Sequence, residues 1–554
     1  MTQALPRAEN VPPASQPAVA RASLPAYLGC PILTAPIAVR VGKTLRGRSE
    51  AADVAPISRS AVTRVSLPAN ALLAASLLPA FLFAAGCKPV GPDYNRPAFN
   101  APAAYKETGA SSVMPPAAQS GVAWSSASPS DNMLRGKWWE IYQDPQLNQL
   151  EERIALSNAQ LRQATESYLA ARDQVAAARA NLFPTASGGL SASRGRTSVN
   201  APEAKPGAST SSDLLLDFQA SWEPDFWGRV RRSVEAAGAT AQASAADVAA
   251  VDLSLHAELA SDYFQLRGID SQIALLTSTV ADLERLLDLT QKRLEGGVAT
   301  AVDVAQAQTQ LDTVRAQLVE LGVVRAQYEH AVGTLVNTNL SQFSIPSSPL
   351  NLALPKVPIG VPSQLLERRP DIAQAERLTD AANANIGIAV SAFYPNIGLG
   401  GTGGFESAHP GTWIQGPSYL WSLGAQAAEL LFDAGQRHAL TDAARHSYEA
   451  QAATYRESIF QAFNDVEDQL STLRILESES GIQQKAVNAS QHALDLSRQR
   501  YQGGVTSYLE VLTNETTLID NQRTAISLST RQFVSSVSLV RSLGGGWDAT
   551  QLPK

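Results

Sequence analysis

The sequence has little of what an enzyme or a nucleic-acid binder would need. Aromatic residues make up 6% and charged residues 17% of its 554 positions, so small side chains suit close helix packing more than a bulky aromatic core. Six histidines (His256, His330, His409, His438, His446 and His492) show no metal-ligand spacing. H-E-x-x-H, P-loop and G-x-S-x-G motifs are absent. Gly398-Leu-Gly400-Gly-Thr-Gly403 matches the dinucleotide fingerprint, but that motif must open a helix after a strand. Here Phe405-Glu-Ser-Ala-His-Pro410 follows, which starts no helix. No catalytic constellation, cofactor or resident metal is expected. The chain carries a net −7, of which residues 1–86 contribute +5, leaving −12 on the remainder. An acidic body behind a basic leader opposes nucleic-acid binding.

Cysteine is nearly absent too: Cys30 and Cys87 are the two in the chain. A disulfide is possible on count alone, yet both lie in Pro- and Ala-rich sequence with nothing evident to staple. Arg59 and Arg64 precede the apolar run Leu67–Ala85, which ends Phe83-Ala84-Ala85-Gly86-Cys87. A charged segment, an apolar stretch and small residues before a cut describe a secretory signal. Pro68, Asn70 and Pro79 make the same run a poor membrane-spanning helix. With Cys87 after Ala-Gly it resembles a bacterial lipoprotein signal, which implies lipidation of Cys87, and Lys88 beside it implies delivery to the outer membrane. Ala84 departs from the Leu usual there. Residues 1 to about 55 are surplus to such a signal and are read as a misassigned start, with the signal over about 57–86.

Proline is missing from two long stretches, Asp225–Ile345 and Ser418–Leu552, although the chain has 32. Since proline breaks helices, both stretches permit long ones. Leu147, Ile154, Leu161, Tyr168, Val175 and Leu182 recur every seven residues, with Leu150, Ser157, Ala164, Ala171 and Ala178 at the second heptad position. Leu259, Leu266, Ile273, Val280, Leu287 and Leu294 form another series; Val466, Leu473, Val487, Leu494 and Tyr501 form a third, broken at Ser480. Such heptads predict closely packed, left-handed coiled helices. One helix from Val230 to Leu294 would be roughly 100 Å long at about 1.5 Å per residue, too long for an ordinary globular bundle.

Phe183–Ser198, Asp213–Phe226, Phe393–Phe405 and Tyr419–Phe432 instead hold Gly, Ser and Thr in partial alternation with apolar residues. Each reads as a strand, and the aromatics Trp222, Phe226, Trp227, Tyr394, Trp413, Tyr419 and Trp421 gather there. Hairpins rimmed by aromatics suit a membrane β-barrel. Two hairpins cannot close a barrel, so an oligomer is required. The pattern also repeats: Arg293-Leu-Glu-Gly-Gly-Val through Asp303 matches Arg500-Tyr-Gln-Gly-Gly-Val through Glu510, and Phe183-Pro184 matches Tyr394-Pro395. Two similar halves follow.

Several further motifs resemble one known family. Leu366-Glu-Arg-Arg369-Pro370-Asp371 through Glu376, Ala382-Asn383-Ala-Asn385-Ile386-Gly387 and Phe393-Tyr394-Pro395 look like the outer-membrane factor (TolC-like) family, nearest its OprM-like or NodT-type lipoproteins. Gly91-Pro92-Asp93-Tyr94 with Pro97 is similar to their lipidated start, and Trp138-Trp139 with Asp144-Pro145 to the opening of their first long helix. The resemblance implies a mainly α chain with a β-barrel portion. Three copies would form one twelve-stranded barrel and an α-helical periplasmic tunnel, with a lipid-anchored N-terminal segment (87–135), two repeats (136–345 and 346–546) and a short tail (547–554). It implies passive efflux of small molecules for an inner-membrane RND transporter through a periplasmic adaptor. A type I protein-secretion duct and a periplasmic adaptor lipoprotein are the alternatives.

By the same resemblance the doubled turns, Gly296-Gly297-Val298 and Gly503-Gly504-Val505, form the periplasmic tip where the adaptor docks. Physically they are helix reversals, for which glycine supplies the left-handed backbone. Just beyond lie Asp303, Gln306, Tyr508, Glu510 and Thr513, which the resemblance places at the periplasmic gate, although relatives often carry Asp at the Thr513 position. Copies of Asp303 and Glu510 around an axis would favour cations. Arg369-Pro370-Asp371 reads as a structural helix start, with Pro in the first turn and Asp against the helix dipole.

Overall fold

Two helix starts near the beginning show how local chemistry sets the architecture. In the computed structural model, which describes residues 88–102, 104–109, 136–196, 198, 210–357 and 365–553, Asp144 caps α1 (Pro145–Ser157) by accepting from the amides of Gln146 and Leu147. Asn158 caps α2 (Ala159–Ala180) in the same way. The heptad series Leu147–Leu182 is therefore two helices, not one. Asn158 leaves the helical region at φ −67°, ψ 127°, and its Nδ2 donates to the Leu335 carbonyl at 2.8 Å. A single extended residue leaves the seven-residue count intact, which is why periodicity passes over it.

The remaining elements follow the doubled order. After α2 come β1 (Thr185–Arg196) and β2 (Thr210–Trp222), then α3 (Arg229–Glu295) and α4 (Ala301–Leu335). The second half has α5 (Pro370–Ser391), β3 (Asn396–Ser407), β4 (Tyr419–Ala428), α6 (Gln436–Gln502) and α7 (Tyr508–Ser542). Helix lengths repeat as well: α2 and α5 have 22 residues, α3 and α6 have 67, and α4 and α7 have 35. At about 1.5 Å per residue the two longest helices each run roughly 100 Å. Among the described residues no helix is long and apolar enough to cross a membrane.

The heptads place the seams. Leu276, Leu283, Leu311, Val314, Leu494, Val511 and Leu518 are buried between α3, α4, α6 and α7. Nearer the middle of the long helices, Trp138, Tyr142, Leu147, Ile154, Leu259, Tyr263, Phe264, Leu266, Phe533 and Val537 form a second core. Gly268 lets α3 approach α7 closely, since a Cβ there would collide with the Thr530 side chain. Each fully buried Leu or Phe contributes about 1.5–3 kcal/mol.

The strands form one antiparallel sheet in the order β1-β2-β3-β4. They are shorter at their helix ends than the sequence suggests: β2 stops at Trp222 and β4 at Ala428. The chain then turns into a helix through a carboxylate–guanidinium clasp at each junction. Asp225 accepts from the Val230 and Arg231 amides and from Arg231 Nε at 3.1 Å. Asp433 accepts from the Arg437 amide and from Arg437 Nε at 2.6 Å. Gly398–Gly403 lies inside β3 and opens no helix, so the dinucleotide fingerprint lacks its structural context.

Candidate functional site: the sheet and the helical turns

Register sorts the strand side chains into two faces, because paired residues share a face and neighbours alternate. Leu190, Leu216, Phe405 and Tyr419 are partners across the sheet, as are Gly188, Phe218, Gly403 and Trp421. With Leu214, Trp222, Leu399 and Leu423 they make one face almost wholly apolar. The aromatic rings cover backbone left bare by glycine: a Cβ on Gly188 would sit 3.3 Å from the Phe218 ring. The opposite face carries Ser187, Ser191, Asp213, Asp217, Gln219, Thr402, Glu406, Ser422 and Gln426. The apolar face is exposed in the single chain, with Leu423 at 81%. Both outer strands, β1 and β4, have one unpaired edge.

At the far end of the long helices the two Gly-Gly-Val turns are near copies of each other. Gly297 and Gly504 both adopt φ +71° with open space at the Cβ position. Val298 N donates to the Arg293 carbonyl at 2.8 Å and Val505 N to the Arg500 carbonyl at 2.9 Å, closing each reversal. Val298 and Val505 stand 67% and 71% exposed. Glycine is needed because an L side chain in this left-handed region costs energy.

Beyond the turns the halves diverge. Asp303 closes a capping box, accepting from the Thr300 amide at 2.8 Å while its own amide donates to Thr300 Oγ1. Glu510 instead reaches Arg500 Nη1 at 3.2 Å and the Thr506 hydroxyl. Gln306 is half-buried, and Thr513 is exposed with its hydroxyl turned back to the Leu509 carbonyl. Tyr508 is buried edge-on against Tyr501 with centroids 5.7 Å apart. Burial, then the nearby Glu515 carboxylate, pushes the Tyr508 phenol well above its ordinary range. Glu515 is itself buried; burial raises its pKa, and the Arg498 guanidinium at 2.7 Å pulls it back.

Sequence reasoning missed Arg293, Arg498 and Glu515. Arg293 bridges the two hairpins, donating to the Tyr501 carbonyl at 2.8 Å and lying over the Tyr501 ring at 4.4 Å. Its repeat counterpart Arg500 serves Glu510, so duplication alone gives no hint of the bridge. Arg369-Pro370-Asp371 lies far from these turns. Pro370 takes the first position of α5, and Arg369 binds Asp371, Asp465 at 3.0 Å and the Ser542 carbonyl at 3.2 Å.

Cys87 and the leader before it lie outside the described residues. The strap that follows is described from Lys88 and begins beside the β2–α3 junction. Pro89 packs on Gly228, whose Cβ would lie 2.5 Å from that of Pro89, and Val90 N donates to the Trp227 carbonyl at 2.9 Å. The strap then runs along α5 and α6. Asp93 binds Arg232 at 2.8 Å, Arg96 binds the Tyr455 hydroxyl at 3.0 Å, and Phe99 stacks on Phe463.

A sheet with one apolar and one polar face, continued by a helical shaft of this length, is also found in known proteins. Residues 150–338 and 361–545 match the family model described as outer membrane efflux protein. The chain is 34% identical over 418 residues to the toluene efflux pump outer membrane protein TtgC of Pseudomonas putida, covering 74% of this chain and 85% of that protein. It is 29% identical to the cation efflux system protein CusC of Escherichia coli, covering 83% and 96%. The solved outer-membrane channel OprN superposes with a TM-score of 0.75 at 28% identity, over 83% of this chain and 99% of that one. The chain therefore belongs to the outer membrane efflux protein family, and its role is transport, as an outer-membrane efflux channel.

Proposed function

We propose that three copies of this chain assemble into a continuous duct, a twelve-stranded barrel above a helical tunnel, that carries small toxic molecules outward for an inner-membrane RND transporter through a periplasmic adaptor. One observation carries this reading: the four-stranded sheet has a bare apolar face and two unpaired edges. Unpaired backbone groups are not tolerated against lipid, so β1 of one copy has to meet β4 of the next until the sheet closes. The polar face then lines the lumen.

The far turns fit the adaptor-facing role, with Val298 and Val505 offering apolar contacts at the tip. Asp303, Gln306, Tyr508, Glu510 and Thr513 are the proposed gate. Within it the two carboxylates are held differently, Asp303 by the capping box of its own helix and Glu510 by Arg500 and Thr506. Lipidation of Cys87 is supported by the position of Pro89 and Val90 at the strand–helix boundary, two and three residues beyond it, where acyl chains would reach the inner leaflet. Cargo is assigned to the partners: relatives of similar identity are named for toluene and for cations, so family membership does not fix it.

The test is crosslinking in the native envelope, pull-down and identification of every co-purifying protein. A trimer recovered with an RND transporter and its adaptor is the expected result. Recovery of an ABC transporter would move the function to polypeptide secretion, and a monomeric product would remove the duct.

A further inference from the structure

The outward face of the sheet changes character at its loop end. β1 is paired without a bulge from Thr185 to Arg196, so Arg194 and Arg196 share the face of Leu190, two and three alternations farther from the helices. From Ile397 through Phe405, level with Leu190, to Arg194 spans about twelve residues. At about 3.3 Å per residue and a tilt near 40° that is roughly 30 Å of height, which puts both guanidiniums just beyond a ~25 Å apolar band. Their cross-strand partners are Ser212 and Thr210, which carry no charge. The acidic residues of the sheet, Asp213, Asp217 and Glu406, all project to the opposite face. Among the described residues neither guanidinium meets a carboxylate. Two exposed cations on an otherwise apolar, acid-free face would be repelled by hydrocarbon and drawn to anionic headgroups.

Building on the duct orientation above, we infer that Arg194 and Arg196 form a cationic rim that binds the phosphate groups of lipid in the outer leaflet. Guanidinium suits this task, since its planar fork engages phosphate oxygens in pairs. Three copies place such a pair at three points around the barrel, beside the edge where β1 meets the neighbouring β4. The bound lipid thus lies over the subunit seam, so the rim joins membrane adhesion to assembly.

The full-length protein would be reconstituted in phosphatidylcholine nanodiscs containing bisphosphorylated lipid A, or lipid A stripped of its phosphates. Lipid A retained per trimer after detergent exchange would be counted by native mass spectrometry. The wild type should retain the phosphorylated form and lose the stripped one. Arg194→Gln/Arg196→Gln should bind the phosphorylated form about ten- to thirty-fold more weakly, whereas Arg285→Gln, an equal charge loss on a helix, should not. Arg194→Lys/Arg196→Lys should keep most of the binding. Equal retention of both lipids by the wild type overturns the rim without involving any variant, as does undiminished binding by the glutamine pair. Failure of the wild type to form trimers would instead remove the duct reading, and the rim with it.

Discussion

A buried acid–histidine pair ties α1 to α3. Glu151 on α1 is fully buried and accepts from His256 Nδ1 on α3 at 2.7 Å, while Trp139 stacks on the imidazole at 4.3 Å. Burial raises the Glu151 carboxyl to about 7 despite the His256 bond. For His256 burial opposes the charged ring, but bonds to Asp252 and Glu151 outweigh it and hold the imidazole up at about 9. Both shifts run the same way: the folded chain binds more protons than the unfolded one between about pH 4.5 and 9, so stability from this pair falls as pH rises through that window. The thermal midpoint should decline from pH 5 to 9, and Glu151→Gln/His256→Gln should flatten that slope. His256→Ala alone leaves a buried, protonated carboxyl without its partner and should cost about 1–3 kcal/mol near pH 7. A midpoint indifferent to His256→Ala would show that the pair holds nothing.

Among the elements, the helix crossings and the helix ends answer to different chemistry. Gly268→Ala drives a methyl into Thr530 and should cost about 1–3 kcal/mol by overpacking; Thr530→Ala should recover most of it, a coupling readable in a double-mutant cycle. Gly297→Ala and Gly504→Ala meet open space, so each should cost only about 1 kcal/mol of backbone strain. Val298→Asp and Val505→Asp should leave the trimer intact and abolish adaptor capture, because they change only exposed apolar contacts; adaptor recovery in the pull-down reads this. If capture survives both, the docking surface lies elsewhere on the shaft. These cases mark what a sequence makes legible. Long helices, four strands and the doubled turns all follow from periods of seven and two together with glycine pairs, which depend on local order. The break at Asn158, the Arg293 bridge to Tyr501 and the strap from Lys88 were not legible, because each depends on a partner between about 140 and 360 positions away. The strand ends were overdrawn for a related reason: Phe226 and Phe432 carry aromatic character beyond Trp222 and Ala428, where the strands have already ended.

For the whole molecule the decisive question is which face of the sheet meets lipid, and a single chain leaves both open to solvent. If the apolar face merely covered another protein surface, a charge placed on it would be a local defect. Inside a bilayer the same charge, repeated in each copy, has no water to reach near the midplane. Leu423 lies on that face and Ser422 on the other, one residue apart in the same strand. Leu423→Arg should therefore cost about 2–4 kcal/mol per copy near mid-membrane, enough across three copies to remove the heat-resistant trimer from the outer-membrane fraction. In the proposed duct Ser422→Arg faces the lumen, and it should leave trimer yield near wild type while lowering single-channel cation conductance. Yields that fall equally in both variants would mean that strand packing, not membrane contact, governs the sheet. Loss confined to Ser422→Arg would invert the barrel and exchange its lipid and lumen faces.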